Sequence, residues 1–361
     1  MTTAHFHALR VKDVRRETAE CVSLAFAVPP ELAGLYRYTQ GQYLNVRRTL
    51  LGEEVRRSYS ICSGLDDGEL RVAVKEVPDG RFSTWANRSL GPGDTLEVMP
   101  PQGRFFVPLD AAHAKHYVAF AAGSGITPVL SLVKTTLARE PRSRFTLVYG
   151  NRTLDAVIFN EALEDLKDRY LARLALYHVF SRDPQEIELF NGRIDAAKVA
   201  QFVETLIPPA TIDAAFVCGP DTMMDDVSAA LEVQGVPRAS IHLERFGVPQ
   251  PRAGGKPAAV RAPAAIEGAS DVTVIVDGAR YRLQLPGDGP SVLDAALKAG
   301  ADLPYACKAG VCCTCRAKLV DGEVRMDANY TLEEAEVQAG FRLTCQSHPV
   351  SPKVVLDYDQ R

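Results

Sequence analysis

The chain has 361 residues, 46% of them hydrophobic, with 41 Lys and Arg against 45 Asp and Glu for a net charge of −4. That length predicts two or three domains with ordinary globular cores. The near-balanced charge excludes the basic signature of nucleic-acid binding, and no apolar run approaches membrane-spanning length.

Residues 1–7 show no charged region followed by an apolar run, so no secretory signal is expected. Segments 5–14, 20–27, 42–47, 55–62 and 70–76 are short, β-rich and separated by Gly, Pro and Asp. Such spacing predicts an antiparallel β-barrel over residues 1–110. Two segments in it carry chemistry. Arg57-Ser58-Tyr59-Ser60 offers a cation, a flat ring and a hydroxyl on one strand. Gly80-Arg81-Phe82-Ser83-Thr84 opens a short helix with backbone N–H groups and hydroxyls suited to phosphate. Taken alone, the first also fits a strand edge and the second a turn.

The texture changes near His116. Tyr117-Val118-Ala119-Phe120-Ala121-Ala122 is a continuous apolar run, as in a parallel strand buried on both faces. Gly123-Ser124-Gly125-Ile126-Thr127-Pro128 follows, then a helical stretch over 129–139. Strand, glycine turn and helix form the nucleotide-binding context. Pro128 takes the place of the last glycine of the usual G-x-G-x-x-G and is tolerated in a first helical turn. Strands at 145–149, 174–180, 214–218 and 241–243 alternate with helices at 159–169, 195–204 and 221–234, a doubly wound α/β domain over 111–248. The second of its strands runs into Gly150-Asn151-Arg152, and no acid appears until Asp155. An NAD-preferring fold commonly places an acid there to hold the ribose 2′-OH. Arg152 instead stands where a 2′-phosphate could be met, which predicts NADPH as the ligand. Surface arginines after strands are also common.

Residues 249–270 are rich in Pro, Gly and Ala without apolar period, and read as a linker. Beyond it, 272–276 and 281–285 flank Asp277-Gly278, a hairpin signal. Ser291 precedes a helix over 292–299, and 354–356 reads as a closing strand. Between them Cys307, Cys312 and Cys315 are spaced C-x4-C-x2-C, the plant-type 2Fe–2S pattern, with Cys345 as the only later cysteine to complete four thiolates. Four cysteines can also hold zinc, but structural zinc sites show two C-x2-C pairs or Cys/His mixtures, and only one such pair is present. Cys313 is an extra thiol whose use in place of Cys312 would break both gaps. Residues 271–361 are therefore expected to form a small β-grasp 2Fe–2S domain. The remaining thiols, Cys21, Cys62, Cys218 and Cys313, suit a reducing cytoplasm without disulfides. The seven histidines show no ligand spacing.

With its three parts placed, the chain resembles the ferredoxin–NADP reductase-type flavoproteins that carry a plant-type ferredoxin domain at the C-terminus. Its wording is most similar to the reductases that serve phenylacetyl-CoA epoxidation, in Ile241-His242-Leu243-Glu244-Arg245-Phe246, Cys218-Gly219-Pro220-Asp221-Thr222-Met223-Met224-Asp225-Asp226 and Ala301-Asp302-Leu303-Pro304-Tyr305-Ala306-Cys307-Lys308. The resemblance implies that Arg57 pairs with the FAD pyrophosphate, Tyr59 packs on the isoalloxazine and Ser60 bonds near flavin N5. Gly80, Ser83 and Thr84 would meet FAD phosphate. Gly123, Gly125, Thr127 and Pro128 would form the nicotinamide-dinucleotide loop, with Cys218, Gly219 and Pro220 beside the nicotinamide ring. Without the resemblance Cys218 reads as a small buried strand-end residue. Glu244 and Phe246 match the acid and aromatic near the flavin, although plant-type reductases end at that aromatic and this chain continues. Ser181 with Arg182, and Arg193 after Gly192, resemble the places where bacterial reductases contact the 2′-phosphate. The implied catalytic set is Ser60, Cys218 and Glu244. The implied activity passes electrons from NADPH through FAD and the 2Fe–2S cluster to a multisubunit di-iron oxygenase acting on phenylacetyl-CoA. The alternatives are the reductase of another oxygenase, such as a Rieske-type ring or steroid hydroxylase, and a non-catalytic redox sensor.

Overall fold

Alternating apolar and polar side chains build the first sheet of the computed structural model, which describes residues 5–247 and 268–360. Its strands are β1 (His7–Thr18), β2 (Cys21–Ala27), β3 (Tyr43–Leu50), β4 (Glu53–Ser60), β5 (Leu70–Lys75) and, after helix α1 (Arg81–Arg88), β6 (Thr95–Val98). They pair antiparallel in the order β4-β3-β6-β1-β2-β5. A bridge between Ile61 and Val72, with the Cys62 N–H donating to the Arg71 carbonyl at 2.9 Å, joins the two edges and closes the barrel. Leu9, Val11, Leu24, Val46, Val72, Leu96 and Val98 fill it, and α1 adds Phe82 and Ala86 to the same core. Each such buried side chain contributes about 1.5–3 kcal/mol. The strand β6 was not among those expected from sequence; at four residues it carries too few positions for alternation to register.

The second sheet is parallel. Its strands are β7 (His116–Ala122), β8 (Arg144–Asn151), β9 (Leu174–Phe180), β10 (Ala214–Cys218) and β11 (Ile241–Glu244), in the order β11-β10-β7-β8-β9. The helices are α2 (Ile126–Arg139), α3 (Asn160–Arg169), α4 (Ala196–Thr205) and α5 (Asp221–Val233). The apolar run of β7 has a simple cause. Tyr117, Ala119 and Ala121 enter a core with α2 and α3, while Val118 and Phe120 enter another with α4 and α5. Asp195 caps α4 by accepting the Lys198 N–H at 2.9 Å. The chain from the barrel to this sheet is held by a buried acid. Glu140, just past α2 and fully buried, accepts from Asp110 N–H at 2.9 Å, Ser143 Oγ at 2.6 Å and Tyr117 OH at 2.9 Å, and lies 2.8 Å from His113 Nδ1. Burial pushes its carboxyl up, but these hydrogen bonds outweigh burial and hold it below the usual range. Barrel and parallel sheet belong to one compact unit, Phe6–Glu244.

A second unit begins at Arg245. Its elements are β12 (Ala269–Val276), β13 (Ala279–Pro286), α6 (Val292–Lys298), β14 (Arg316–Asp321), β15 (Val324–Met326), α7 (Glu334–Gln338), β16 (Phe341–Leu343), β17 (Ser347–Pro349) and β18 (Lys353–Asp357). Five strands form a mixed sheet, β13-β12-β18-β14-β16, in which β12 and β18 run parallel, and β15 pairs with β17. Asp277 and Gly278 both take positive φ between β12 and β13, the tight hairpin expected there. Ser291 caps α6, whose Val292, Leu293 and Ala296 pack on Val274, Ala317 and Leu356. Residues 249–267 of the expected linker lie outside the described residues. No helix among the described residues is long and apolar enough to cross a membrane.

Candidate functional site

The pairing of β3 with β4 sets Arg57 opposite Val46, Tyr59 opposite Leu44 and Ser60 opposite Tyr43. Arg57 is exposed, and its Nη1 donates only to the neighbouring Arg56 carbonyl, at 2.7 Å. Tyr59 is half-buried, its ring 5.5 Å from Phe82 at a 33° tilt. Burial raises its phenol. Ser60 ends the strand and is buried. Gly80 is the N-cap of α1, and Phe82 on α1 is the residue that Tyr59 meets, so the fold joins the two motifs that sequence left apart. The Ser83 hydroxyl accepts the Val77 N–H and donates to the Gly80 carbonyl, both at 3.2 Å, and so shapes the turn itself. Thr84 is half-buried behind it.

The second site lies where the parallel strand order reverses, between β7 and β10, and ligands of such sheets bind at the carboxyl ends of the strands at that point. Gly123 to Gly125 form a short turn after β7, and Cys218-Gly219-Pro220 leave β10 beside it. A Cβ on Gly125 would overlap the Cys218 carbonyl, and one on Gly219 would crowd Ala122 and Met223. Only glycines let the two segments press together. The helix α2 begins at Ile126, three residues before the expected start, so Thr127 and Pro128 are buried in its first turn. Thr127 Oγ1 donates to the Ser124 carbonyl at 2.9 Å. The buried Tyr149, which sequence did not single out, donates its hydroxyl to the Gly123 carbonyl at 2.9 Å. Cys218 is fully buried and pairs in register with Glu244. Burial pushes its thiol up, and the neighbouring Glu244 adds to the effect. Burial likewise pushes the half-buried Glu244 carboxyl up to about 8, so it is protonated at neutral pH. Phe246 is exposed.

The three arginines gather at the ends of β8 and β9. Arg182 N–H donates to the Arg152 carbonyl at 2.8 Å, and Gly192 N–H to the Phe180 carbonyl at 2.8 Å, which brings Arg193 to the same edge. Ser181 lies between them with its N–H on the Asn151 carbonyl at 3.0 Å. All three arginines and Ser181 are exposed. Arg152 is engaged by Glu20, an acid that sequence reasoning had no signal to find.

The loop from Cys307 to Cys315 turns at Lys308 and Cys313, both at positive φ, a strained backbone that close wrapping of a group demands. Its sulfurs act on one another in pairs: the Cys312 thiol favours the thiolate of Cys307, and the Cys345 sulfur holds the Cys315 thiol well above its usual range. Ala309 N–H points at Cys307 Sγ at 3.3 Å, Cys307 N–H at Cys312 Sγ at 3.5 Å, and Gln346 Nε2 at Cys345 Sγ at 3.6 Å. Cys313 Sγ turns to Thr331 Oγ1 at 2.9 Å. Among the described residues, no group of three or more His, Cys, Asp or Glu side chains is drawn together as a metal site. Two thiols on each of two irons is the arrangement that suits two pairs.

Residues 8–107 match the oxidoreductase FAD-binding domain, 120–229 the oxidoreductase NAD-binding domain and 274–350 the 2Fe-2S iron-sulfur cluster binding domain. The chain is 46% identical over 364 residues to a subunit of the 1,2-phenylacetyl-CoA epoxidase of Escherichia coli (strain K12), covering 100% of this chain and 99% of that protein. The chain belongs to the oxygenase-reductase family. These reductases include the 3-ketosteroid-9-alpha-monooxygenase ferredoxin reductase component of Rhodococcus rhodochrous, 36% identical over 97% of this chain and 96% of that one. Phthalate dioxygenase reductase shares the fold, with a TM-score of 0.59, 25% identity and 98% of each chain covered. As a member of this family the chain is an oxidoreductase with FAD-binding, nicotinamide-dinucleotide-binding and 2Fe–2S domains. The residues present fit those groups: paired thiols under backbone N–H groups for the cluster, an exposed guanidinium and a half-buried ring on β4 for the flavin, and a glycine-lined crevice at the switch point for the dinucleotide.

Proposed function

We propose that this reductase oxidises NADPH and delivers electrons singly to a multisubunit di-iron oxygenase that epoxidises phenylacetyl-CoA, in the cytoplasm. The observation that carries the reading is the 46% identity, end to end, with a component of phenylacetyl-CoA epoxidase. When bound, the nicotinamide supplies a hydride, the flavin divides its electron pair and the cluster carries one electron at a time.

The chain's own residues bind and orient. Arg57 holds the FAD pyrophosphate as a paired, permanent cation, Tyr59 packs on the isoalloxazine and Ser60 donates near N5. Gly80 and Thr84, with Ser83 setting the turn, present the α1 N–H groups to phosphate. Gly123, Gly125, Thr127 and Pro128 admit the dinucleotide, and Cys218, Gly219 and Pro220 line the nicotinamide. Glu244 keeps its proton at neutral pH and so adds no negative charge beside the flavin. Arg152, Arg182, Arg193 and Ser181 take the 2′-phosphate, and Cys307, Cys312, Cys315 and Cys345 hold the cluster. We assign the FAD barrel to 1–110, the NADP domain to 111–248, the linker to 249–270 and the ferredoxin domain to 271–361, with the first ferredoxin strand reaching back to Ala269.

A second reading, reductase of a steroid hydroxylase, is supported by the 36% identity with the 3-ketosteroid-9-alpha-monooxygenase component. Reconstitution separates them. The purified chain is mixed with NADPH and, in turn, a di-iron phenylacetyl-CoA oxygenase and a steroid hydroxylase. Phenylacetyl-CoA consumption coupled to NADPH oxidation is expected; turnover only with the steroid system would overturn the first reading.

A further inference from the structure

Arg152 has a partner at the end of β8. Its Nη2 lies 3.0 Å from Glu20 Oε2, and Lys75 Nζ stands 3.8 Å from the same oxygen. Glu20 belongs to the tight connection between β1 and β2. Its N–H donates to Thr18 Oγ1 at 3.3 Å and its carbonyl accepts the Glu76 N–H at 2.7 Å. The barrel thus fixes the backbone of Glu20 while its side chain reaches across to the parallel sheet. A cation from β5 and a cation just past β8 thus share one acid of the β1–β2 turn. The side chains of Glu20 and Arg152 are 55% and 49% exposed, so water screens the pair and it is easily exchanged.

We propose that Glu20 is a specificity-determining residue that occupies Arg152 in place of the donor's 2′-phosphate and lowers the preference for NADPH over NADH. The proposal rests on the reading that Arg152 meets that phosphate. A phosphate carries more negative charge than one carboxylate and offers more acceptor oxygens, so it displaces Glu20 from the guanidinium. An unphosphorylated dinucleotide leaves the Glu20–Arg152 pair in place. The acid that is missing from the end of β8 in sequence is thus supplied by the barrel.

The test titrates the holoprotein calorimetrically with adenosine 2′,5′-bisphosphate and with adenosine 5′-monophosphate, for wild type, Glu20→Gln, Arg152→Ala and the double variant. Steady-state NADPH and NADH oxidation with ferricyanide runs alongside. Glu20→Gln is expected to tighten the bisphosphate about 2- to 5-fold relative to the monophosphate, the size of one exposed ion pair. The NADPH/NADH ratio of kcat/KM should rise through KM, and both gains should vanish in the Arg152→Ala background. If Arg152→Ala weakens the bisphosphate selectively while Glu20→Gln leaves it unchanged, or shifts both ligands equally, the role of Glu20 is overturned and Arg152 keeps its own. If Arg152→Ala leaves the bisphosphate unaffected, the Arg152 reading fails and the role of Glu20 with it.

Discussion

The cluster loop and the nucleotide crevice do comparable work by opposite means. Three of the four proposed cluster thiols lie within nine residues, Cys307 to Cys315, and backbone N–H groups of the same loop point at their sulfurs. The crevice draws Gly125 from one βα turn, Cys218 and Gly219 from another and Glu244 from a third strand. A soft-metal site needs ligands of one kind at short reach, so one loop supplies three of them and a single distant thiol the fourth. A dinucleotide is far longer and needs the ends of several strands. The first site should therefore fail by loss of single side chains, the second by small displacements of backbone.

The largest expected effect is at the loop. Cys312→Ser should abolish the visible and electron-paramagnetic signals of the cluster, while Cys313→Ser keeps them, because the Cys307 N–H points at the Cys312 sulfur whereas the Cys313 sulfur faces Thr331. Reduction of bound FAD by NADPH should survive both changes. Loss of the cluster on Cys313→Ser with retention on Cys312→Ser would reverse the assignment.

A backbone displacement is the matching test of the crevice. Gly125→Ala places a methyl group against the Cys218 carbonyl and must part the two turns. Misplacement by about 1 Å can cost about 100-fold in rate, so stopped-flow flavin reduction should slow on that order while the cluster spectrum is unchanged. A rate within a factor of two of wild type would show that the close approach is not needed.

A single charge at the rim should matter less. Arg182→Ala removes one charge-assisted contact, worth about 1.5–3 kcal/mol, and should weaken NADPH about 10- to 150-fold in KM with little change for NADH. Equal losses for both donors, or a wild-type preference for NADH, would contradict the assignment.

The smallest effect is a pH trend. The folded-state carboxyl of Glu244 titrates near 8 and the unfolded one near 4.5, so between those values the native state holds the extra proton. This makes the contribution of Glu244 to stability fall as pH rises from about 4.5 to about 8. Glu244→Gln removes that dependence, so its melting temperature relative to wild type should climb between pH 5 and pH 8. A constant difference across that range would mean that the carboxyl is not shifted.

Much of this was legible without coordinates because local rules produced it. The x4 and x2 gaps of the cysteines, the Asp277-Gly278 hairpin, the Ser291 cap and the unbroken apolar run of β7 each report a constraint that acts within a few residues. The four-residue β6 was not legible, since it is defined by its neighbours β1 and β3 and not by its own pattern. Nor was the start of α2 at Ile126, three residues before the expected helix, because a glycine turn that runs straight into a helix leaves no cap to mark the first turn.

By itself the sequence determined three domain types, their order and the residue chemistry each brings: thiols, glycine turns, arginines. Tertiary structure decided which of these meet. It set Tyr59 against Phe82, and so joined the β4 motif to the start of α1. It pressed Gly125 on Cys218 and set Glu244 beside that thiol, and burial there keeps the acid protonated. It brought Glu20 to Arg152 across 132 positions. Spacing encodes contacts along the chain; contacts between distant segments depend on strand order and close packing, and on the electrostatics of burial that only the assembled fold creates.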